Sequence, residues 1–322
     1  MTLARAARRF PVVAAAALAA ALGCSTSSVG SDADAIDPPD VPSVGDVPAT
    51  GDVPGDVGVD PGYGYQQDVA GVEVEQAFLP EPPTGKEWRM VFHDEFDGTS
   101  IDTARWHVSQ GKGRTNVYDP RAVVLDGNGI LHMRVFAEDG TYYTGGLDTS
   151  GIWQKTKGYF ETRVQFQKQG GHWTAFWLYS NGICAMGNGG KDGAELDIFE
   201  RPWTLDPFKE FTQRTIHWDC DDGKTEDPQE IPGISEGFHT MGMWWSDDAY
   251  IFYTDGKEIW RSSDGGICET PEYMLLTDEI QDNLWFEAGA IEDATLPDEW
   301  LVDYVRVYDL FDASTSPAGS PR

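Results

Sequence analysis

The chain has 322 residues and a formal net charge of −31, from 54 acids against 23 Lys and Arg. A field of that sign repels polyanions, so it argues against nucleic acid and against heavily sulfated polysaccharide and favours a neutral partner, with acidic solubility of a secreted protein as the plain alternative. The length suffices for one large β domain of roughly 200–250 residues without requiring a second.

In chain order, Arg5, Arg8 and Arg9 precede an apolar, Ala-rich run from Pro11 to Leu22, the pattern of a targeting segment rather than a fold element. Its end, Ala21-Leu22-Gly23-Cys24, resembles the bacterial lipoprotein signal, although Ala21 stands where that pattern usually has Leu. The resemblance implies lipidation at Cys24 and an exported protein of the cell envelope, its only membrane attachment the lipid; an ordinary cleaved secretory leader is the alternative. Residues 25 to 80 hold eleven acids and no Lys or Arg, amid Gly, Pro and Val, and read as a solvated linker. A domain over residues 81–310 and a disordered tail over 311–322 complete the expected organisation.

From Trp88 onward, short alternating apolar segments are separated by turn residues, with no sustained helical period. Residues 122–125 and 130–136 flank Asp126-Gly127-Asn128-Gly129, and 250–254 meets 257–260 across Asp255-Gly256; both read as hairpins. In 159–166, Phe160, Thr162, Val164 and Phe166 share one face, leaving Tyr159, Glu161, Arg163 and Gln165 on the other. Residues 301–308 alternate similarly, with Leu301, Val305 and Val307 opposite Tyr304, Arg306 and Tyr308. So many strands predict an all-β fold of two stacked antiparallel sheets. Three Cys follow the leader; Cys184 and Cys220, which come after the strands flanking the acidic segment described next, are the expected disulfide, leaving Cys268.

Chemistry concentrates in Glu195-Leu196-Asp197-Ile198-Phe199-Glu200, three acids in a segment that otherwise reads as a buried strand. Glu195 and Asp197 share a face, while Glu200 breaks the parity. A one-residue bulge between Ile198 and Glu200 restores it and lines up all three carboxylates. The two Glu Cα atoms would then lie about 13 Å apart at ~3.3 Å per residue. Long side chains leaning together can close to the ~5–5.5 Å of a retaining glycosidase pair. Acids on the wet face of a sheet are the bland reading, and a metal site is a weaker one, since no cluster of further ligands is nearby. Several tryptophans fall near these acids in sequence: Trp153, Trp173, Trp177, Trp203 and Trp218. Trp173 and Trp177, beside Gly170-Gly171, suit a cleft that stacks on sugar rings, and His217 on 215–218 is placed to hydrogen-bond the carboxylates.

Taken with Gly158-Tyr159-Phe160-Glu161-Thr162-Arg163 and Trp173-Thr174-Ala175-Phe176-Trp177-Leu178, the acidic hexapeptide resembles glycoside hydrolase family 16. Residues 92–98 (Phe-His-Asp-Glu-Phe-Asp-Gly) and 302–308 (Val-Asp-Tyr-Val-Arg-Val-Tyr) look like that family's opening and closing strands, so the likeness spans about 86–309. It implies a β-jelly-roll sandwich with a concave cleft and endo-hydrolysis of a β-linked polysaccharide with retention, by a monomer that needs no cofactor for catalysis. The bulged motif puts a laminarin-like β-1,3-glucan first. A β-galactan, agarose or carrageenan hydrolase, a transglycosylase, and a non-catalytic carbohydrate-binding lipoprotein are the rivals. Thr174 stands where the glucanases usually carry Pro, beside the expected cleft. By the resemblance, Glu195 is the nucleophile, Glu200 the acid/base, and Asp197 the residue that orients them. Glu161, Arg163 and Asn116 are expected to hold sugar hydroxyls from the same concave face, and Asp303 to ligate a structural Ca²⁺.

Overall fold

The computed structural model describes residues 78–280 and 289–313. The leader, Cys24, nearly all of the acidic linker and the end of the tail lie outside the described residues. In chain order the strands are β1 (Lys86–Asp94), β2 (His107–Val108), β3 (Gly111–Lys112), β4 (Val117–Tyr118), β5 (Val123–Leu125), β6 (Leu131–Glu138), β7 (Thr141–Thr144), β8 (Gly146–Asp148) and β9 (Gly158–Gln165). There follow β10 (His172–Tyr179), β11 (Glu195–Arg201), β12 (Phe211–Trp218), β13 (Gly223–Glu226), β14 (Gln229–Glu230), β15 (His239–Trp245), β16 (Tyr250–Thr254), β17 (Lys257–Ser262), β18 (Tyr273–Ile280) and β19 (Asp298–Asp312).

They form two sheets, a jelly-roll sandwich. One of 11 strands runs β17-β16-β15-β9-β19-β6-β7-β4-β3, with β1 on β19 and β5 on β6; one of 8 runs β13-β12-β11-β10-β18-β8-β2, with β14 on β12. Both expected hairpins form, β5 with β6 and β16 with β17. Asp255 and Gly256 both take positive φ, as a two-residue type I′ turn requires.

The core lies between the sheets. Phe160, Val164, Met243 and Val305 from the larger sheet pack against Phe176, Leu178, Leu196 and Leu276 from the smaller, burying each strand's apolar set against the other sheet. Trp106 and Trp300 are fully buried there, and Trp153 packs on Phe92 and Phe160. Trp153 is therefore a core residue, not part of the aromatic group near the acids.

Two expectations about parity and boundaries are corrected. In β19 the register shifts between Val302 and Tyr304, so Trp300 and Val302 enter the core with Val305 and Val307, and Leu301 turns away. The domain also reaches past both expected edges. Trp88 Nε1 donates to the Pro80 carbonyl at 2.7 Å, Tyr159 Oη to that of Phe78 at 3.4 Å, and β19 continues to Asp312.

Candidate active site

The site is built on the open face of the smaller sheet by strand parity. On β10, Phe176 and Leu178 point into the core, which turns Trp173, Ala175, Trp177 and Tyr179 outward. Thr174 points inward with Phe176; its hydroxyl donates to Gln167 Oε1 at 2.9 Å, so this departure from the glucanase motif does not line the cleft. On β11 the expected bulge is present. Asp197 pairs with Trp177 and Phe199 with Phe176, leaving Ile198 without an opposite residue, and both Ile198 and Phe199 enter the core. Glu200 returns to the outer face opposite Ala175. The same shift appears on the other side, where Asp197 faces Thr215 and Glu200 faces Gln213. Three carboxylates thus share one surface, with Asp197 between the two Glu.

Neighbouring strands supply the partners. Glu195 lies opposite His217 on β12. His217 Nε2 is 3.8 Å from Glu195 Oε1 and 3.5 Å from Asp197 Oδ2, and its Nδ1 is 3.0 Å from Asp221 Oδ1. Thr215 Oγ1 donates to Glu200 Oε2 at 2.8 Å and itself accepts from Gln213 Nε2 at 3.2 Å. Trp177, half-buried, donates to Thr277 Oγ1 at 3.0 Å, and an aromatic strip runs from it through Tyr179 to Tyr273 with ring centroids 5.9 and 5.8 Å apart. Such a strip gives a sugar flat apolar faces to stack on. At the Glu279 end of β18, Arg114 from the β3–β4 turn lies over the Trp173 ring at 5.8 Å, and Tyr118 Oη donates to Glu279 Oε1 at 3.0 Å.

Crowding and burial set the electrostatics. Burial pushes Glu200 up to about 8, aided by the Asp197 charge and opposed by the Thr215 hydrogen bond and His217. Asp197 is pushed up to about 8 by burial and by Asp221, and Glu195 is raised well above the usual carboxylate range by burial and then by Asp197. Glu195 and Asp197, neighbours on one face, therefore titrate as a pair held above the ordinary carboxylate range by burial. Behind them the fully buried Glu272 is also raised, mainly by burial.

The turn after β12 is unusual. Asp219, Cys220 and Asp221 all take positive φ, at 52°, 56° and 67°, a region that costs non-glycine residues energy and persists only where the surroundings enforce it. Here Cys220 is in a disulfide with Cys184, and Asp219 Oδ1 accepts from the Gly187 amide at 3.1 Å. The enforced turn aims Asp221 at His217. Cys268 is free and buried in the core. Trp218 is caught between Gly223 and Gly265, where a Cβ would come within 2.1 and 2.4 Å of its ring, so its part is packing. Trp203 packs with Phe208 and Phe211 beyond the end of β11.

Three expected site residues are elsewhere. Glu161 and Arg163 lie on β9, which pairs with β15 and β19 in the larger sheet, so they face the opposite surface of the molecule. Glu161 is buried and accepts from Tyr304 Oη at 2.9 Å, while Arg163 pairs with Asp303 and stacks over Phe238. Asn116 is buried with its amide on Thr144 Oγ1, fixing the β3–β4 turn rather than facing the open sheet. The Asp303 carboxylate accepts from the Arg163 guanidinium through Oδ2. Sequence reasoning passed over Tyr179, Thr215, Asp221, Tyr273 and Thr277. Continuing the β10 alternation two residues beyond Trp177 finds Tyr179; the others depend on pairing between distant segments.

Four similarities bear on this arrangement. The family described as beta-porphyranase A–D, GH16 domain, matches residues 88–310. Keratan-sulfate endo-1,4-beta-galactosidase of Sphingobacterium multivorum is 27% identical over 70% of this chain and 56% of its own length. Beta-porphyranase D of Zobellia galactanivorans is 26% identical over 73% of this chain and 64% of its own. This chain therefore spans somewhat more than half the length of these relatives. Among solved structures, laminarinase from Flavobacterium sp. UMI-01 superposes with a TM-score of 0.60 at 24% identity, over 69% of this chain and all of the other, a likeness of fold.

Proposed function

The chain belongs to glycoside hydrolase family 16, and from that premise we propose that it is a retaining endo-hydrolase of a β-linked galactan, with a laminarin-like β-1,3-glucan as the second reading. The observation that carries the reaction is the bulge, which brings Glu195, Asp197 and Glu200 onto one face beside the Trp177–Tyr179–Tyr273 strip. Glu200 gives its proton to the glycosidic oxygen as Glu195 attacks the anomeric carbon; the C–O bond breaks and a glycosyl ester forms on Glu195. Glu200, now ionised, takes a proton from water, which attacks the ester and frees Glu195, so the configuration is retained. Asp197, between the two on the same face, orients the nucleophile.

The order of substrates reverses the one the bulged motif alone suggests. The porphyranase-type family match and two relatives, one named as an endo-1,4-beta-galactosidase and one as a beta-porphyranase, support a galactose-containing chain first. The exposed Arg114 over Trp173 adds a guanidinium at one end of the open face, suited to a sulfate ester on a lightly sulfated galactan. The test is reducing-end release from agarose, porphyran, keratan sulfate, laminarin and lichenan by the wild type and by Glu195→Gln. Cleavage of a galactan, abolished by the substitution, is expected. Cleavage of laminarin alone establishes the second reading, and tight binding without cleavage of any of them overturns both.

The pH dependence follows from Glu200, which must be protonated in the first step. Activity is expected to fall as pH rises through about 8. The Thr215 hydrogen bond lowers this carboxyl, so Thr215→Val raises it. With a hydrogen bond worth ~0.5–1.5 kcal/mol and about 1.36 kcal/mol per pH unit, the alkaline limb should move up by about 0.4–1 unit. An alkaline limb that stays fixed in Thr215→Val assigns it to another group.

A further inference from the structure

Glu195 Oε1, Asp197 Oδ2 and His217 Nε2 have the makings of a metal site that the hydrolytic mechanism does not use. Their donor atoms all lie within 4.8 Å of one another. A four-coordinate Zn²⁺ holds nitrogen and oxygen ligands at ~2.0–2.2 Å, which separates the donors by about 3.3–3.6 Å. The 3.5 Å from Asp197 to His217 already matches, and the 3.8 Å from Glu195 to His217 needs only a small contraction. Independently of the cluster's shape, Asp197 is 3% exposed and its Oδ2 accepts no hydrogen bond, a buried carboxylate oxygen aimed at the point between the three side chains.

The surroundings are those of a metal ligand. His217 presents Nε2 inward while Nδ1 sits 3.0 Å from Asp221 Oδ1 without hydrogen-bond alignment, near enough for a small rotation of the ring to form the carboxylate–histidine pair of a metal ligand. The enforced left-handed turn at Asp219–Asp221, held by the Cys184–Cys220 disulfide, preorganises that pairing. Lys224 faces His217 across β12 and β13, but its ammonium is paired with Glu226 at 2.8 Å. One imidazole and two carboxylates suit zinc or copper better than calcium or magnesium, which prefer all-oxygen shells.

We propose that Glu195, Asp197 and His217 bind one divalent cation of the zinc or copper kind, and that its occupation shuts off hydrolysis by engaging the nucleophile. The inhibition rests on the function proposed above; the binding does not. The test is titration of the full-length protein with Zn²⁺ against a chromophoric chelator, and with Co²⁺ by its visible absorption, in the wild type, His217→Leu and Asp221→Asn. Unfolding midpoints establish that each variant is folded. One ion per chain is expected, with affinity reduced at least tenfold in His217→Leu and about tenfold in Asp221→Asn, and with hydrolysis lost on filling the site and restored by chelator. Equal affinity in all three proteins overturns the proposal, placing the ion among the many surface acids. Affinity lost in the variants while a filled site still hydrolyses overturns the inhibition. Absence of hydrolysis in the metal-free enzyme sinks the functional reading instead, and the titration still decides the site.

Discussion

Glu195→Ala and Glu200→Ala are both expected to lose hydrolysis of the natural polymer, and to be rescued by azide with opposite stereochemistry on an aryl β-glycoside of the substrate. Losing the acid/base should cost on the order of 10²–10⁴-fold, and losing the nucleophile at least as much, since no covalent intermediate then forms. In Glu195→Ala, azide takes the place of the missing carboxylate and attacks the anomeric carbon directly, giving the inverted α-glycosyl azide. In Glu200→Ala, the aryl group leaves without protonation, the ester forms on Glu195, and azide displaces it to give the β-glycosyl azide of retained configuration. The structure makes this a demanding test because both residues occupy one strand, five positions apart, and only the bulge at Ile198 puts them on the same face. The same anomer from both variants would reverse or dissolve the assignment of roles. Proton NMR of the products distinguishes the anomers.

The acidic strand was legible because its pattern broke. Strict alternation accommodates Glu195 and Asp197 but puts Glu200 in the core, and a bulge is the cheapest repair. Alternation also separated the faces of β9, yet it carries no information about which sheet a strand joins. Glu161 and Arg163 are polar and outward as read, but β9 pairs with β15 and β19, and outward there is the surface opposite the acids. The bulge near Asp303 was invisible for a related reason. Leu301, Val302 and Val305 are all apolar, so either parity looks satisfactory, and only the pairing of β19 with β9 shows that Leu301 turns away from the core. Asp221 depends on a backbone conformation that no residue type in Asp219-Cys220-Asp221 announces. It forms because a disulfide and the Gly187 amide hold it.

His172 gave still less away in sequence, following Gly170-Gly171 as any loop histidine might, and its removal is expected to be among the most damaging single changes to stability. It is fully buried, with Nδ1 2.9 Å from Asp278 Oδ1 and Nε2 3.2 Å from Asp298 Oδ2. This ties β10 to β18, the central strands of the sheet that carries the acids, and to the start of β19 in the facing sheet. Both Asp charges hold His172 up at about 9, although burial alone pulls it down, whereas burial pushes Asp278 up to about 6. Between about pH 6 and 9 the pair is therefore ionised. His172→Leu leaves Asp278 buried without a cation, at a cost of about 3–5 kcal/mol, or roughly 6–20 °C in Tm for a domain of this size. Replacing His172→Gln together with Asp278→Asn should recover most of the loss, because the fully buried Asp278 charge is gone and Asp298 keeps the Lys168 and Gln169 amides as donors. The pH dependence has a definite sign. A histidine raised in the folded state stabilises fully below its unfolded value of 6.5, and that contribution is lost as pH rises to about 9. Wild-type Tm should fall across this interval more steeply than that of the double variant, since other raised groups such as Glu200 act in both proteins. Parallel curves for the two proteins in thermal unfolding from pH 6 to 10 would show that His172 loses no proton across this interval and that its charge does not help to hold the sheet.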